Sequence, residues 1–239
     1  SGTYPLQSLN YTYNELISAE KDALIFTDAN WTLFASYLLQ YGKGLFNDKK
    51  VIFSALMLTP FSMNELTEEL GIPEFKDADP EFYKSKTPTM TFANEMKKRI
   101  EHIAKYTKRP IYISVSTNEA VKNLLKDHLY GEGLLMRYSS KPYDNLAVMR
   151  RNFENTYLLD YLYETFYPET LTDVCLDLKG VKMLSIYYVP AFKSLLQFYK
   201  ESGDVTHYDK LYSLLESIVK KADYYSDEVR ERYLKSINF

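Results

Sequence analysis

Three short runs set the strongest limit on what this chain can fold into: residues 23–27 (ALIFT), 51–58 (VIFSALML) and 110–116 (PIYISVS). Each is apolar nearly throughout instead of alternating, as strands are when helices cover both faces of a sheet. Helical patterns separate them. Leu33, Phe34, Tyr37, Leu38 and Tyr41 recur as one buried helix face, with Gly42 and Gly44 as its stop. Ser62 and Glu65 have the spacing of a capping box, and Gly71 and Pro73 end the helix that follows. Phe92, Met96, Ile100, Ile103 and Ala104 form a further stripe, as do Val121, Leu124, Leu125 and His128. Residues 134–138 (LLMRY) add a weaker strand. Strands alternating with helices at this spacing predict an α/β fold over residues 1–142: a short, mostly parallel, Rossmann-like sheet flanked by helices.

From residue 143 to 239 the pattern is helical alone. Residues 144–167 read as one helix closed by Pro168, and residues 181–202 as a segment in which Pro190 either kinks the helix or begins a new one. Gly203-Asp204 turns the chain into a helix over 206–224, and Ser226 caps a last helix over 226–237. The pair around the Gly-Asp turn has the look of a single TPR-like hairpin, which cannot bury its apolar face alone and is expected to pack on the rest. Residues 72–88 form a long loop, either functional or an insertion pinned by Phe75 and Phe82.

Charge and composition narrow the function. With net charge −3 over 239 residues and lysines and arginines spread along the chain, the concentrated basic footprint of a nucleic-acid binder is missing. Cys175 is the only cysteine, and His102, His128 and His207 lie on separate segments, so no disulfide framework, Cys-rich zinc site or cofactor is expected. The longest apolar run, 51–58, falls far short of the roughly 20 residues of a bilayer span. Ser1-Gly2 reads as a remnant of expression engineering. The opening SGTYPL lacks the charged and apolar regions of a signal peptide, and any targeting or membrane segment of the natural protein would lie outside this chain.

One stretch qualifies as a candidate site. In open parallel sheets ligands bind beyond the carboxyl ends of strands, and here the first strand runs into Thr27-Asp28-Ala29-Asn30-Trp31-Thr32. The turn has no glycine to approach a phosphate, and Asp28 would repel one, so a nucleotide fingerprint is absent. Thr27, Asp28 and Asn30 beside the only tryptophan, Trp31, offer hydrogen-bonding groups and an apolar platform suited to sugar hydroxyls or a cation. The structural alternative is that Asp28 or Asn30 caps the helix while Trp31 packs on the sheet edge. No catalytic residue is assigned: there is no G-x-S-x-G elbow, HExxH, P-loop or CxxC, Cys175 sits in TDVCLDL as a small buried residue, and Glu68-Glu69 lie on a solvated helix. The tyrosines, 23 in all and dense in 157–167 and at Tyr187-Tyr188, suit either a partner or glycan surface or a core with hydroxyls at its rim.

Taken in order, YTYNEL (11–16), KDALIFTDANWTLFASYLLQ, VIFSALML, KRPIYISVS, GLLMRYSSKPYDN, the tyrosine-rich helices and FYKESGD resemble the C-terminal soluble region of a family of large bacterial polytopic membrane proteins. That family, a domain of unknown function, is grouped with GT-C glycosyltransferases related to protein O-mannosyltransferases, and the resemblance runs from residue 8 to about 225. Its first turn has the form T-x-G-D-N-D-T. Thr27, Asn30 and Thr32 match it with Asp28 close by, whereas the glycine is missing and Trp31 replaces the acidic residue before the threonine. The resemblance implies a periplasmic or otherwise extracytoplasmic domain attached to a membrane transferase core, whose chemistry belongs to segments outside this chain. Three expectations follow: a non-catalytic accessory domain that positions an acceptor protein or glycan or mediates assembly; a free-standing periplasmic glycan-binding or interaction scaffold; or a hydrolase or transferase with an unrecognised site.

Overall fold

The computed structural model describes residues 6–76, 88–163, 184–222 and 225–237. In chain order the elements are α1 (Leu6–Ser18), β1 (Leu24–Thr27), α2 (Asn30–Tyr37), β2 (Lys50–Phe53), α3 (Ser54–Met57), α4 (Pro60–Leu70), α5 (Pro88–Tyr106), β3 (Ile111–Ser114), α6 (Glu119–Leu125), β4 (Leu129–Gly131) and β5 (Leu135–Tyr138). Four further helices follow: α7 (Asn145–Arg151), α8 (Val189–Ser202), α9 (Val205–Lys221) and α10 (Asp227–Ile237). Two compact units emerge. Ala19–Tyr130 and Leu135–Tyr143 form a sheet unit; α1, Gly131–Leu134 and the described chain from Asp144 onward form a helical unit. The sequence had grouped α1 and Gly131–Leu134 with the first region; here they cluster with the second.

The sheet is five-stranded and mixed, in the order β2-β1-β3-β5-β4. β1 pairs in parallel with β2, Leu24 opposite Lys50, and with β3, Leu24 opposite Ile111. The weak strand at 134–138 is real, but as β5 it runs antiparallel to β3. Only the first half of the 51–58 run is strand. At Ser54 the chain turns into α3, and there the buried Ser54 hydroxyl donates to the Thr27 carbonyl (3.2 Å). The capping box also moves: α4 begins at Pro60, whose fixed φ suits a first helical position, and Thr59 is the cap, accepting from Ser62 N–H at 3.2 Å. Gly71 then ends the helix in the left-handed conformation, φ 62°.

Strand alternation divides the sheet's side chains. Leu24, Phe26, Ile52 and Ile113 pack with Met63 and Leu66 of α4, Met96, Ile100 and Ile103 of α5, and Val121 and Leu125 of α6. Each such side chain contributes roughly 1.5–3 kcal/mol on burial. A buried ion pair sits in this layer: Glu95 and Arg99 on α5, 1% and 3% exposed, bond to each other. Arg99 also donates to the Met57 carbonyl at 2.9 Å and lies 4.8 Å over the Phe75 ring. That contact buries Phe75, so the start of the long loop is pinned as expected; Phe82 falls outside the described residues.

On α2 the sequence expectation is reversed. Of the stripe Leu33, Phe34, Tyr37, Leu38 and Tyr41 only Leu33 is buried, whereas Phe34 is 55% and Tyr41 84% exposed. The inward face consists of Thr32, Leu33, Ala35, Ser36 and, in the π-helical turn Leu38–Gly42 that extends the helix, Leu39 and Gln40. Small and hydroxyl-bearing side chains let a helix approach a sheet closely, so shape, not apolar content, decides which face turns in.

In the helical unit the expected single helix over 144–167 breaks early. α7 runs into a π-helical turn at Asn152–Thr156, and the chain then extends. Long-range side-chain bonds explain the break. Asn14 on α1 bonds both the N–H and the C=O of Leu158, each at 2.8 Å, and donates to the Tyr188 hydroxyl at 2.7 Å. Pro168 and Cys175 lie outside the described residues. Pro190 starts a new helix, α8, after a 3₁₀ turn at Leu184–Tyr188. Gly203, φ 73°, and Asp204, whose carboxylate caps α9, make the turn between α8 and α9.

Tyrosines fill this unit's core. Tyr11, Tyr188 and Tyr199 are fully buried, and the hydroxyls of Tyr161 and Tyr188 meet at 3.0 Å. Burial pushes the Tyr11, Tyr161 and Tyr188 phenols far above the ordinary tyrosine range, and the Tyr157 phenol up to about 12. Tyr157 accepts from Leu134 N–H at 3.0 Å and stands against Gly133, where a Cβ would lie 2.1 Å from its hydroxyl. Gly133 has φ 122°, so both the space and the backbone there require glycine. Among the described residues no helix is long and apolar enough to cross a membrane.

Candidate functional site

The sheet order places a topological switch point between β1 and β3, since the chain leaves β1 toward β2 on one side and reaches β3 on the other. In open α/β sheets this is where a ligand crevice forms. Its walls are the turns after the two strands: Thr27 to Thr32 after β1, Ser114 to Asn118 after β3.

Hydroxyl side chains line both turns and bond to one another. Thr27 Oγ1 accepts from Ala29 N–H at 3.2 Å and meets Thr32 Oγ1 at 2.9 Å, while Thr32 donates to the Ala29 carbonyl at 2.9 Å. Across the crevice Thr27 Oγ1 lies 3.4 Å from Ser116 Oγ, which meets Ser114 Oγ at 2.8 Å. Thr117 Oγ1 donates to the Phe26 carbonyl at 3.3 Å. With Ser54 bonded to the Thr27 carbonyl, the ends of all three parallel strands are tied together by short polar side chains.

Asp28 completes the closure. Its Oδ2 accepts from Asn118 N–H at 2.7 Å, and Asn118 Oδ1 in turn caps α6 by accepting from Ala120 N–H at 2.8 Å. The carboxylate therefore bridges the two turns and sits at the positive end of α6, a favourable placement for a negative charge. Neither Asp28 nor Asn30 caps α2: the cap position is Ala29, without a side-chain bond. The expected cap is thus absent, and Asp28 instead ties the turn to the start of α6. Its second oxygen, Oδ1, is buried and has no hydrogen-bond partner among the described residues.

Of the residues predicted from sequence, Thr27 and Asp28 thus stand in one network, Thr27 buried and Asp28 half-buried. Trp31 is half-buried on the first turn of α2, and Asn30 is exposed beside it. Among the described residues no hydrogen bond joins the Asn30 side chain to the network. Ser114, Ser116, Thr117 and Asn118 were missed. Their signal was legible: S-V-S-T-N directly after the strand PIYI mirrors T-D-A-N-W-T after ALIF, and two polar turns after two parallel strands form one crevice. Among the described residues no group of three or more His, Cys, Asp or Glu side chains could hold a metal ion.

What the arrangement can do follows from its bonds. A nucleophilic hydroxyl needs an adjacent base to take its proton. Thr27, Thr32, Ser114 and Ser116 have hydroxyl or backbone partners instead. The remaining capacity is the buried lone pair on Asp28 Oδ1, which can accept one bond from a ligand hydroxyl or a water. No family model, curated protein or solved structure matches this chain, so the reading of the crevice rests on its own geometry.

Proposed function

We propose that the chain is a non-catalytic accessory domain, the extracytoplasmic part of a membrane glycosyltransferase-like protein, which positions an acceptor protein or glycan or mediates assembly. The observation that carries the non-catalytic part is the crevice at the β1–β3 switch point, where the Thr27, Ser114 and Ser116 hydroxyls bond to each other and Asp28 bonds to Asn118. The extracytoplasmic setting and the glycosyltransferase connection rest on the sequence resemblance. In this reading the β2-β1-β3 portion is Rossmann-like and the α8–α9 hairpin is TPR-like, a scaffold pairing suited to holding partners. The purified chain, incubated with activated sugars and aryl glycosides, is expected to show no turnover above buffer. Turnover removed by Asp28→Asn, with an unchanged circular dichroism spectrum, would overturn the reading.

The unpartnered Asp28 Oδ1 favours a second reading, a glycan-binding scaffold that takes one sugar hydroxyl there beside Trp31. Trp31 emission titrated with mono- and oligosaccharides separates the two. A saturable change lost in Asp28→Ala selects the glycan binder, and a flat response selects the accessory domain acting through protein contacts.

A further inference from the structure

We propose that the free edge of β2 is a docking groove for an extended, positively charged peptide, which joins the sheet as an additional strand. The groove is distinct from the crevice at the strand ends, since none of Thr27, Asp28, Asn30 and Trp31 lines it.

The first ground is the backbone. β2 is the terminal strand, and Lys50 N–H donates to the Ala23 carbonyl at 2.9 Å. In a parallel ladder alternate residues face the neighbour, so Lys50 and Ile52 are committed to β1. The N–H and C=O of Val51 and the N–H of Phe53 point the other way, toward no hydrogen-bond partner among the described residues. Such an edge is a template for another strand unless it is covered.

The second ground is the shape around that edge. A cleft of about 600 Å³ has Lys50 to Phe53 as its floor, Tyr37 of α2 as one wall, and Ser62, Glu65 and Glu69 of α4 as the other. A second hollow of about 530 Å³ shares Tyr37, Lys50 and Val51 and continues to Tyr41. The reversed face of α2 and its π-helical extension reaches these hollows through Tyr37 and Tyr41, which are exposed and whose rings pack on each other at 5.8 Å. Exposed, mutually packed aromatic rings beside an open sheet edge suit an interaction surface.

Charge chooses the occupant. Lys50, the cation on the floor, is paired with Glu69 at 2.7 Å. Glu65 and Glu68 on the same exposed helix have no cationic partner among the described residues. The α4 wall is therefore net negative and favours lysine or arginine on one side of an added strand, with apolar residues on the other side toward the tyrosines. A second copy of this chain fits less well. Two-fold pairing of β2 edges brings α4 beside α4, carboxylates facing carboxylates, which costs affinity.

The test is fluorescence anisotropy of the full chain with a fluorescein-labelled octapeptide alternating lysine and valine. Two controls accompany it: the glutamate–valine analogue and the lysine–valine peptide N-methylated at alternate residues, which keeps the charge and removes strand pairing. The expected result is saturable binding of the first peptide and at least tenfold weaker binding of both controls. Val51→Pro, a change an edge strand accommodates because that N–H is not used toward β1, is expected to weaken binding at least tenfold. Should Val51→Pro disturb the circular dichroism spectrum, the exposed pair E65K/E68K supplies the same test, with preference reversed toward the glutamate peptide. Absence of binding, equal binding of the N-methylated peptide, or unchanged affinity in E65K/E68K would overturn the proposal. So would a dimer in sedimentation that E65K/E68K strengthens, which would make a second copy the occupant.

Discussion

The sheet unit and the helical unit place their polar groups differently. In the sheet unit the layer between sheet and helices is hydrophobic, its buried ion pair Glu95–Arg99 is local, four residues apart on one helix, and its long-range ties, such as Asp28 to Asn118, sit at the strand ends. In the helical unit the core itself is polar-aromatic, and its ties are long-range: Asn14 reaches Leu158 and Tyr188. A local pair can be satisfied as soon as its helix forms, whereas a tie across the chain is satisfied only when distant segments have met. Both units need distant segments to meet, but the helical unit sets such ties in its core, whereas the sheet unit sets them at its strand ends.

The contrast can be tested at its strongest point first. Arg99→Met removes the buried guanidinium that pairs with the Glu95 carboxylate, which keeps Lys98 at 2.7 Å. The expected cost is about 3–5 kcal/mol, read as a lower urea midpoint by Trp31 emission, with most of it restored in Glu95→Leu/Arg99→Met. No recovery in the double variant would mean that the pair specifies the sheet unit's packing beyond its own charges. Gly133→Ala probes the helical unit, where the new methyl meets the Tyr157 hydroxyl and the backbone is in a glycine-only region. A loss of about 2–3 kcal/mol is expected by tyrosine near-ultraviolet dichroism. An equal shift of the Trp31 signal, which reports the sheet unit, would break the two-unit comparison; an unmoved one would sharpen it.

The smallest effect at ordinary pH is the alkaline one. Burial raises the Tyr157 phenol to about 12, against 10.0 for a free tyrosine. Its contribution to stability is full below pH 10 and is lost as pH rises from 10 toward 12, because the unfolded chain ionises there and the folded one does not. Tyr11 and Tyr188 shift in the same direction for the same reason. Tyrosine dichroism should therefore decay above pH 10 at lower alkali than Trp31 emission, and coincident curves would count against the contrast.

What was legible in the sequence follows the same division. Strands covered on both faces announce themselves as apolar runs, so β1, β3 and the stripe on α5 could be read residue by residue. The break after α7 could not, because it depends on Asn14 finding Leu158, and no periodicity encodes a partner that far away. The inward face of α2 was misread because apolar content was taken as the measure of burial, where closeness of approach decided it. At the candidate site Thr27 and Asp28 were visible in the turn after β1, but half of the crevice comes from Ser114 to Asn118, and only the pairing of β1 with β3 joins the halves.

The order in which the two units are threaded along the chain bears on how the protein is made. On the ribosome α1 emerges early, carrying Tyr11 and Leu16, which are buried in the finished fold. Their partners, from Asn145 onward, are translated only after the whole sheet unit, several seconds later at roughly 5–20 residues per second. During that interval the nascent chain holds an amphipathic helix whose inward residues wait for the rest of their unit, while the sheet unit is already able to close. The helical unit is thus the part whose yield should depend on chaperones and on the pace of synthesis.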